Sequence, residues 1–250
     1  MAGEFWLDDR QWAAIAPLLP KNQPGAHRKD DRRIISGIVH VLKVGCRWQD
    51  CPAVYGPPTT IYNRFHRWAR RGIWRQLFAA LATTGPGGIQ MIDKHHRQGT
   101  SLGGRRKRGA DLQAIGRSRG GRTTKIHAVV DGCGRPVALQ ITPGQRGDAP
   151  IARSLIEPLP AGRLCAADTA YDSDPLRLFL IERGTQPVIP NNPTRKHLHP
   201  FDPQAYKLRN LIERMFCRLK DWRRIATRYD KLATNFAAAV TLAAIVIWWL

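Results

Sequence analysis

The sequence predicts a mixed α/β fold that is preceded by a small all-helical region. Up to residue 84, apolar residues recur every three or four positions, which is typical of helices that pack on one face. After the Gly-rich stretch 83–88, the pattern changes to the short apolar runs of strands. The composition, 43% hydrophobic and 24% charged, is that of a globular protein. We therefore expect a helical domain over residues 1–84 and an α/β domain over residues 89–250.

The helical region contains a helix with an arginine edge. Periodicity and turn signals predict helices at residues 10–19, 31–44, 61–71 and 74–82. In the third helix, Ile61, Phe65 and Trp68 share one face. Its other face carries Arg64, Arg67, Arg70 and Arg71. Short helices with a basic edge are typical of helix-turn-helix DNA-binding modules, and a plain helical bundle with solvated arginines is the alternative.

The region after residue 88 alternates strands and helices. Strands are predicted at residues 88–93, 123–130, 135–142, 163–167 and 186–190, and helices at 150–159, 176–183, 204–224 and 232–250. The second and third strands flank a Gly-rich hairpin turn at 131–134. This element order is that of a ribonuclease-H-like α/β domain. The last eighteen residues carry no formal charge but include Thr and Asn, so we expect a buried helix that covers the sheet and not a membrane span.

The charge of the chain indicates a polyanionic partner. Forty Lys and Arg against nineteen Asp and Glu give a net charge of +21, which favours nucleic acid over an anionic membrane surface. Residues 94–127 hold ten cations and a single acid, Asp111. Because this stretch is also rich in glycine, we expect residues 97–122 to form a basic loop along DNA phosphates, with a merely solvated loop as the alternative. Five scattered cysteines and an acidic N-terminus without an apolar core predict a reduced, cytoplasmic protein.

Three acids are candidates for one metal site. Asp93 ends the first predicted strand, Asp168 follows a later strand, and Glu213 lies on a long helix. Carboxylates from different elements can hold two divalent ions, Mg²⁺ or Mn²⁺, which stabilise the attacking and leaving oxygens of phosphoryl transfer. As alternatives, Asp93 could cap a strand end and Glu213 could pair with Arg209. Rival acids lie in turns and loops: Asp131, Asp148, Asp172 and Asp174.

Four residues around the third acid share one ridge of the predicted helix. Tyr206, Arg209, Glu213 and Lys220 have the spacing Tyr-x2-Arg-x3-Glu-x6-Lys. At ~100° per residue, offsets of three, seven and fourteen return to nearly the same face. The acid thus lies between an aromatic ring and two cations.

This spacing resembles the signature helix of the DDE transposases of bacterial insertion sequences, in the IS-five group. Other segments resemble the same family: RWQDCPAVYGPPTTIYNRFHRW (47–68), GRSRGGRTTKIHAVVD (116–131), ITPGQRGD (141–148), DTAYDSD (168–174) and RNLIERMFCRLKDWRRIATRYDKLATNF (209–236). The resemblance implies an enzyme that binds terminal inverted repeats, cleaves them with Mg²⁺ and joins the element to a target. It implies double-stranded DNA as the partner, a homo-oligomer on that DNA, and no membrane.

The resemblance also assigns roles to residues. Asp93, Asp168 and Glu213 would be the metal ligands. Tyr206, Arg209 and Lys220 would contact DNA phosphates or orient the end nucleotide, for which the forked guanidinium and the compact ammonium are suited.

One segment departs from the family pattern. The family usually continues from its first Asp with Ser or Thr and several more strand residues, whereas Asp93 runs directly into Lys94-His95-His96-Arg97. This departure predicts a shortened or shifted first strand. It leaves a second hypothesis open, a catalytically inactive copy that only binds DNA. A ribonuclease-H-like nuclease acting on RNA–DNA hybrids is a third hypothesis, which would not need the helical region.

Overall fold

The computed structural model describes residues 3–21, 30–83, 88–98, 110–118 and 121–250. These residues divide into two compact units. The first unit takes its described residues from Met1–Leu81, Gly99–Gln113 and Arg218–Leu250. The second unit takes its described residues from Ala82–Gln98 and Ala114–Cys217.

The secondary structure follows the predicted order closely. The helices are α1 (Asp9–Ile15), α2 (Asp31–Val44), α3 (Pro58–Arg70), α4 (Ile73–Leu81), α5 (Ala110–Gln113), α6 (Asp148–Ile156), α7 (Asp174–Glu182), α8 (Pro203–Tyr206), α9 (Asn210–Lys220), α10 (Arg223–Ala226) and α11 (Ala233–Ala244). The strands are β1 (Ile89–Gln98), β2 (Gly116–Ser118), β3 (Gly121–Val130), β4 (Pro136–Pro143), β5 (Leu164–Ala167) and β6 (Gln186–Val188). Short 3₁₀ turns lie at Ala16–Leu18, Trp48–Asp50, Ala53–Tyr55, Thr169–Tyr171 and Lys207–Arg209, and a π turn at Ile245–Trp249.

The first unit is a helical bundle around α2. The Asp30 carboxylate accepts a hydrogen bond from the Arg33 N–H at 3.0 Å and so begins this helix. Gly45 ends it with a φ of 83°, a left-handed conformation that glycine adopts without strain. The apolar face between these caps, including Ile38 and Leu42, is fully buried.

Helix α11 belongs to the core of this first unit. It packs against α2, α3 and α4, and Phe236, Ala239 and Ala243 are completely buried. The expectation that this segment covers the sheet is therefore wrong. A helix that is apolar on most of its surface can be buried by any apolar neighbour, so its composition does not specify the partner.

No helix in the described ranges is long and apolar enough to cross a membrane.

The second unit is built on one sheet with β1 at its centre. Strand β1 pairs antiparallel with β3 and parallel with β5, and β5 pairs parallel with β6. Strand β3 also pairs with β4, and at its first residues with β2. The six-stranded sheet thus joins an antiparallel part, made of β1 to β4, to the two strands β5 and β6, which run parallel to β1. Helix α6 packs on β3 and β4, and α7 packs on β6. This arrangement confirms the predicted ribonuclease-H-like fold.

Strand β1 corrects two expectations. It runs through Asp93 to Gln98, with Asp93 opposite Ala128, so the aspartate lies within the strand and not at its end. Its ten residues also show that the first strand is not shortened. The polar residues after Asp93 remain in the strand because β3 supplies a continuous ladder of backbone partners, which does not depend on side-chain polarity.

The structure describes only part of the predicted basic loop 97–122. Residues 99–109 and 119–120 lie outside the described ranges. Within the described part, the helix α5 and the strand β2 lie where an irregular loop was expected.

The predicted long helix 204–224 is interrupted. It consists of α8, the 3₁₀ turn Lys207–Arg209 and α9, and it ends at Lys220. Tyr206 and Arg209 therefore lie on the two short elements, and Glu213 lies in the first turn of α9.

Candidate active site

Asp93 and Asp168 come to the same place because β1 and β5 are parallel neighbours. Ile92 and Ala167 are paired across these strands, and each aspartate directly follows its paired residue. Asp168 also begins the 3₁₀ turn after β5, where its Oδ1 accepts a hydrogen bond from the Ala170 N–H at 3.0 Å. The pairing of β1 with β5 thus places the two carboxylates side by side, next to the carboxyl end of β5.

Asp93 is buried and bound by an arginine. Its side chain is 9% exposed, and its Oδ2 accepts a hydrogen bond from Arg209 Nη2 at 2.6 Å. Its Oδ1 accepts from the Lys94 N–H at 2.8 Å. Burial raises the pKa of Asp93, against the opposing effect of the Arg209 charge.

Arg209 joins Asp93 to the third acid. Its Nη1 donates to Glu213 Oε1 at 2.7 Å, while its Nη2 holds Asp93. Glu213 is 57% exposed, so it faces solvent at the rim of the cluster. The Tyr206 ring lies 5.9 Å from the Arg209 guanidinium, and burial raises the pKa of its hydroxyl. The structure therefore brings together Asp93, Asp168, Glu213, Arg209 and Tyr206.

Lys94 places a second cation among the acids. Its Nζ lies 2.9 Å from Asp168 Oδ2 and 3.2 Å from Asp148 Oδ2. The Tyr171 ring lies 5.1 Å from the same ammonium. Burial by itself would lower the pKa of Lys94, but the two carboxylates outweigh this effect and raise it.

Asp148, a rival acid in the sequence, lies at this site. It begins α6, and its Oδ1 accepts a hydrogen bond from Lys125 Nζ at 2.7 Å. Lys125 also donates to the Arg146 carbonyl at 2.7 Å, which fixes the loop before α6. Sequence reasoning missed both lysines. They reach the acids because β1 pairs with β3, and neither composition nor residue spacing indicates that pairing.

The remaining predicted DNA-contacting residues differ in their surroundings. Arg67 and Arg70 are exposed on α3, and Arg71 is exposed directly after it. Arg64 is largely buried, because it pairs with Asp31 and lies 5.0 Å over the Trp68 ring. Lys220 is exposed in the last turn of α9.

The acids suit a hard divalent ion in their chemistry. Carboxylate oxygens are the ligands that Mg²⁺ and Mn²⁺ prefer, and the Lys94 ammonium already lies between two of these carboxylates as a monovalent cation would. The buried Tyr171 hydroxyl and Arg209 Nε have no hydrogen-bond partner within the described residues, so the polar network is incomplete. In the same residues no three His, Cys, Asp or Glu side chains are arranged to hold an ion together. The Lys94 ammonium and the Arg209 guanidinium contact oxygens of Asp168 and Asp93 that such an ion would use.

Two protein-family models match the chain. A family described as "Putative transposase of IS4/5 family" matches residues 7–78, and one described as "Transposase DDE domain" matches residues 89–249. The second model alone spans more than half of the sequence.

Curated relatives are similar over parts of the chain. A Brucella ovis protein named "Putative transposase for insertion sequence element IS6501" is 44% identical over 127 residues, which are 50% of this chain and 98% of the relative. A Burkholderia cepacia protein named "Insertion element IS402 uncharacterized 16.2 kDa protein" is 36% identical over 83 residues, 30% of this chain and 56% of the relative. A "Putative transposase for insertion sequence element IS402" from the same organism is 30% identical over 137 residues, 50% of this chain and 63% of the relative.

Among solved structures, a synaptic complex of piggyBac transposase with hairpin DNA superposes with a TM-score of 0.49 at 13% identity. The match covers 94% of this chain and 70% of that one.

Proposed function

Because the chain belongs to the DDE transposases of the IS4/5 family, enzymes that cleave and transfer DNA strands, we propose that Asp93, Asp168 and Glu213 are its metal-binding catalytic residues. The family membership confirms the resemblance drawn from the sequence. The observation that supports the assignment is the cluster itself, in which Arg209 bridges Asp93 and Glu213 while Asp168 follows the strand beside β1. No finding favours the hypothesis of an inactive copy.

The three acids of the cluster are held in different ways. Asp93 lies on β1 and Asp168 directly follows the neighbouring strand β5, so the sheet sets their separation, whereas Glu213 is on a helix and exposed. Bound Mg²⁺ or Mn²⁺ would stabilise the attacking and leaving oxygens of the phosphodiester. Once Asp93 has another cationic partner, Arg209 is free to turn its guanidinium fork toward a DNA phosphate.

DNA is the proposed substrate and partner, and the element's terminal inverted repeats are its proposed recognition sites. Tyr206, Arg209 and Lys220 would contact the end being cleaved, and the exposed Arg67 and Arg70 would contact phosphates further along the duplex. The net charge of +21 supports this assignment, and binding should weaken steeply with added salt because phosphate contacts release counterions. We further propose that copies of the chain assemble on the DNA as a homo-oligomer.

Strand nicking of a duplex that carries the element ends tests the assignment. We expect nicking with Mg²⁺ or Mn²⁺, none with EDTA, and at least a hundredfold loss in Asp168→Asn and in Glu213→Gln, on the order expected for removing a group that stabilises transition-state charge. Glu157→Gln is a matched control for Glu213, because Glu157 is another exposed glutamate with an arginine four residues away. Full activity of Glu213→Gln, or an equal loss in Glu157→Gln, would reject Glu213 as the third acid.

A further inference from the structure

The first unit contains a cavity that is separate from the acid cluster. Its volume is about 1020 Å³, and all of its lining residues belong to this one unit. It is open to solvent and is lined by the 3₁₀ turn Trp48–Asp50, the start of α3, α5, α10 and the segment leading into α11. The residues that give it chemical character are Trp48, Tyr62, Arg224, Tyr229, Asp230 and Lys231. No step of the strand cleavage described above uses them.

Exposed apolar side chains converge on this cavity. Leu112 is 65% exposed and Tyr229 is 49% exposed, and Leu232 is also exposed. Large apolar groups that stay in contact with water and gather at one concave site indicate a binding surface. The cavity is therefore suited to a ligand with a flat or apolar face.

The aromatic wall of the cavity contacts a cation. The Arg224 guanidinium lies 5.0 Å from the Trp48 ring and 5.5 Å from the Tyr229 ring. Its Nη2 donates to the Cys46 carbonyl at 2.8 Å, which fixes its position. The Trp48 ring packs in turn on Tyr62 at 5.5 Å. Tyr229 therefore presents one exposed ring beside a fixed positive charge.

The lining also contains a buried carboxylate, that of Asp230. Asp230 is 8% exposed, and its Oδ2 has no hydrogen-bond partner within the described residues. The nearest cation, Arg224 Nη1, is 3.8 Å away, beyond hydrogen-bond distance. This oxygen is itself out of contact with solvent, so Asp230 is part of the cavity wall and not a contact for a ligand.

From these features we propose that the cavity binds an unpaired nucleotide of DNA. A base is flat and can stack on the exposed Tyr229 ring. Three cations of the lining, Arg47, Arg224 and Lys231, outnumber its one acid, Asp230, and would attract the phosphate. Arg47 is also paired with Asp50, and Arg224 with Asp230. A charge of +21 over the whole chain favours nucleic acid over an apolar protein segment as the occupant. The inference rests on DNA as the partner, but not on the identity of the catalytic acids.

A stacking assay on the full chain in EDTA tests this inference without any cleavage. The probe is a duplex with an unpaired tail that contains 2-aminopurine, whose fluorescence is quenched when it stacks on an aromatic ring. We expect quenching with the wild type, and Tyr229→Ala should lose quenching and bind the tail about tenfold more weakly. Tyr229→Phe should keep the quenching and the tail affinity of the wild type. All variants should bind the fully paired duplex with the same affinity. Trp6→Ala is the control, because Trp6 is an exposed aromatic of the same unit outside the cavity.

Two results would overturn the proposal. One is quenching by Tyr229→Ala that equals that of the wild type. The other is an effect of Tyr229→Ala on self-association but not on tail binding, which would assign the cavity to a protein segment. Because no metal is present, failure of this assay is distinct from failure of the nicking experiment.

Discussion

At the scale of single residues, the cations among the acids are the main feature of this site. Lys94 and Arg209 each hold a carboxylate that we assign to metal binding. Such pairs stabilise the charged acids while the site contains no divalent ion, because two unpaired carboxylates at neighbouring positions of the sheet would repel each other. They also set a condition on metal binding, since an ion and the lysine ammonium compete for the same oxygens of Asp168.

Removing the Lys94 charge should therefore strengthen metal binding. We expect Lys94→Ser to bind Mn²⁺ about tenfold more tightly than the wild type, measured by titration calorimetry at constant pH, because one competing positive charge is lost near the ion. Lys94→Arg keeps the charge and should not show this gain. Lys125→Met is the matched control. It removes a buried lysine that contacts Asp148, whereas the contact with Asp168 comes from Lys94. Equal Mn²⁺ affinity in the wild type and Lys94→Ser would show that the Lys94 ammonium and the metal ion do not compete.

At the scale of secondary-structure elements, one buried aspartate ties α7 to the irregular segment after β6. The Asp172 carboxylate is fully buried and accepts hydrogen bonds from Arg177 Nε at 2.8 Å, Arg195 Nε at 2.9 Å and the Asn192 N–H at 2.7 Å. Burial favours the neutral acid, but these donors together lower the pKa of Asp172 to about 2. The segment around Asn192 and Arg195 is thus held by polar contacts where it lacks regular structure.

This arrangement predicts how stability depends on pH. The folded pKa lies below the unfolded value of about 3.9, so the charged acid contributes about 2–3 kcal/mol above pH 4 and loses that contribution as the pH falls toward 2. We expect Asp172→Asn to be less stable by about 3 kcal/mol at pH 7. The difference from the wild type should shrink below pH 4, as measured by urea denaturation at several pH values. Asp174→Asn is the control, because Asp174 also binds Arg195 but is exposed to solvent, and we expect a much smaller loss of stability from it. A difference between wild type and Asp172→Asn that stays constant from pH 7 to pH 3 would contradict this account.

At the scale of the whole molecule, the chain returns to its first unit after completing the second. Residues 218–250 supply α10 and α11 to the bundle that begins with α1. Phe236, Val240 and Ala243 are buried against these N-terminal helices. Each large buried apolar side chain contributes about 1.5–3 kcal/mol, so this segment accounts for a considerable share of the bundle's stability.

The N-terminal region should therefore not fold alone. We expect a fragment of residues 1–84 to show no cooperative thermal transition by circular dichroism, because loss of α11 exposes the apolar faces of α2, α3 and α4. Adding residues 218–250 through a flexible linker should restore a cooperative transition. The same linker with Phe236→Asp is the control and should not restore it, because a charge would be buried without a partner. A cooperative transition in the fragment 1–84 alone would show that the helices form a complete core without α11.

The sequence by itself determined the order of the main elements and the fold class, and its resemblance to a known family identified the family of this protein. Local signals sufficed for this, since periodicity and turn residues act over a few positions, and the spacing around Glu213 lies within one stretch of chain. Only the tertiary structure decided that Asp93 lies inside β1, that Lys94 and Asp148 join the acid cluster, that Arg64 pairs with Asp31, and that α11 completes the first unit. Each of these depends on strand register or on the choice of a packing partner. Such contacts join residues far apart in the chain, so their free energy depends on the whole fold and leaves no local pattern from which it could be predicted.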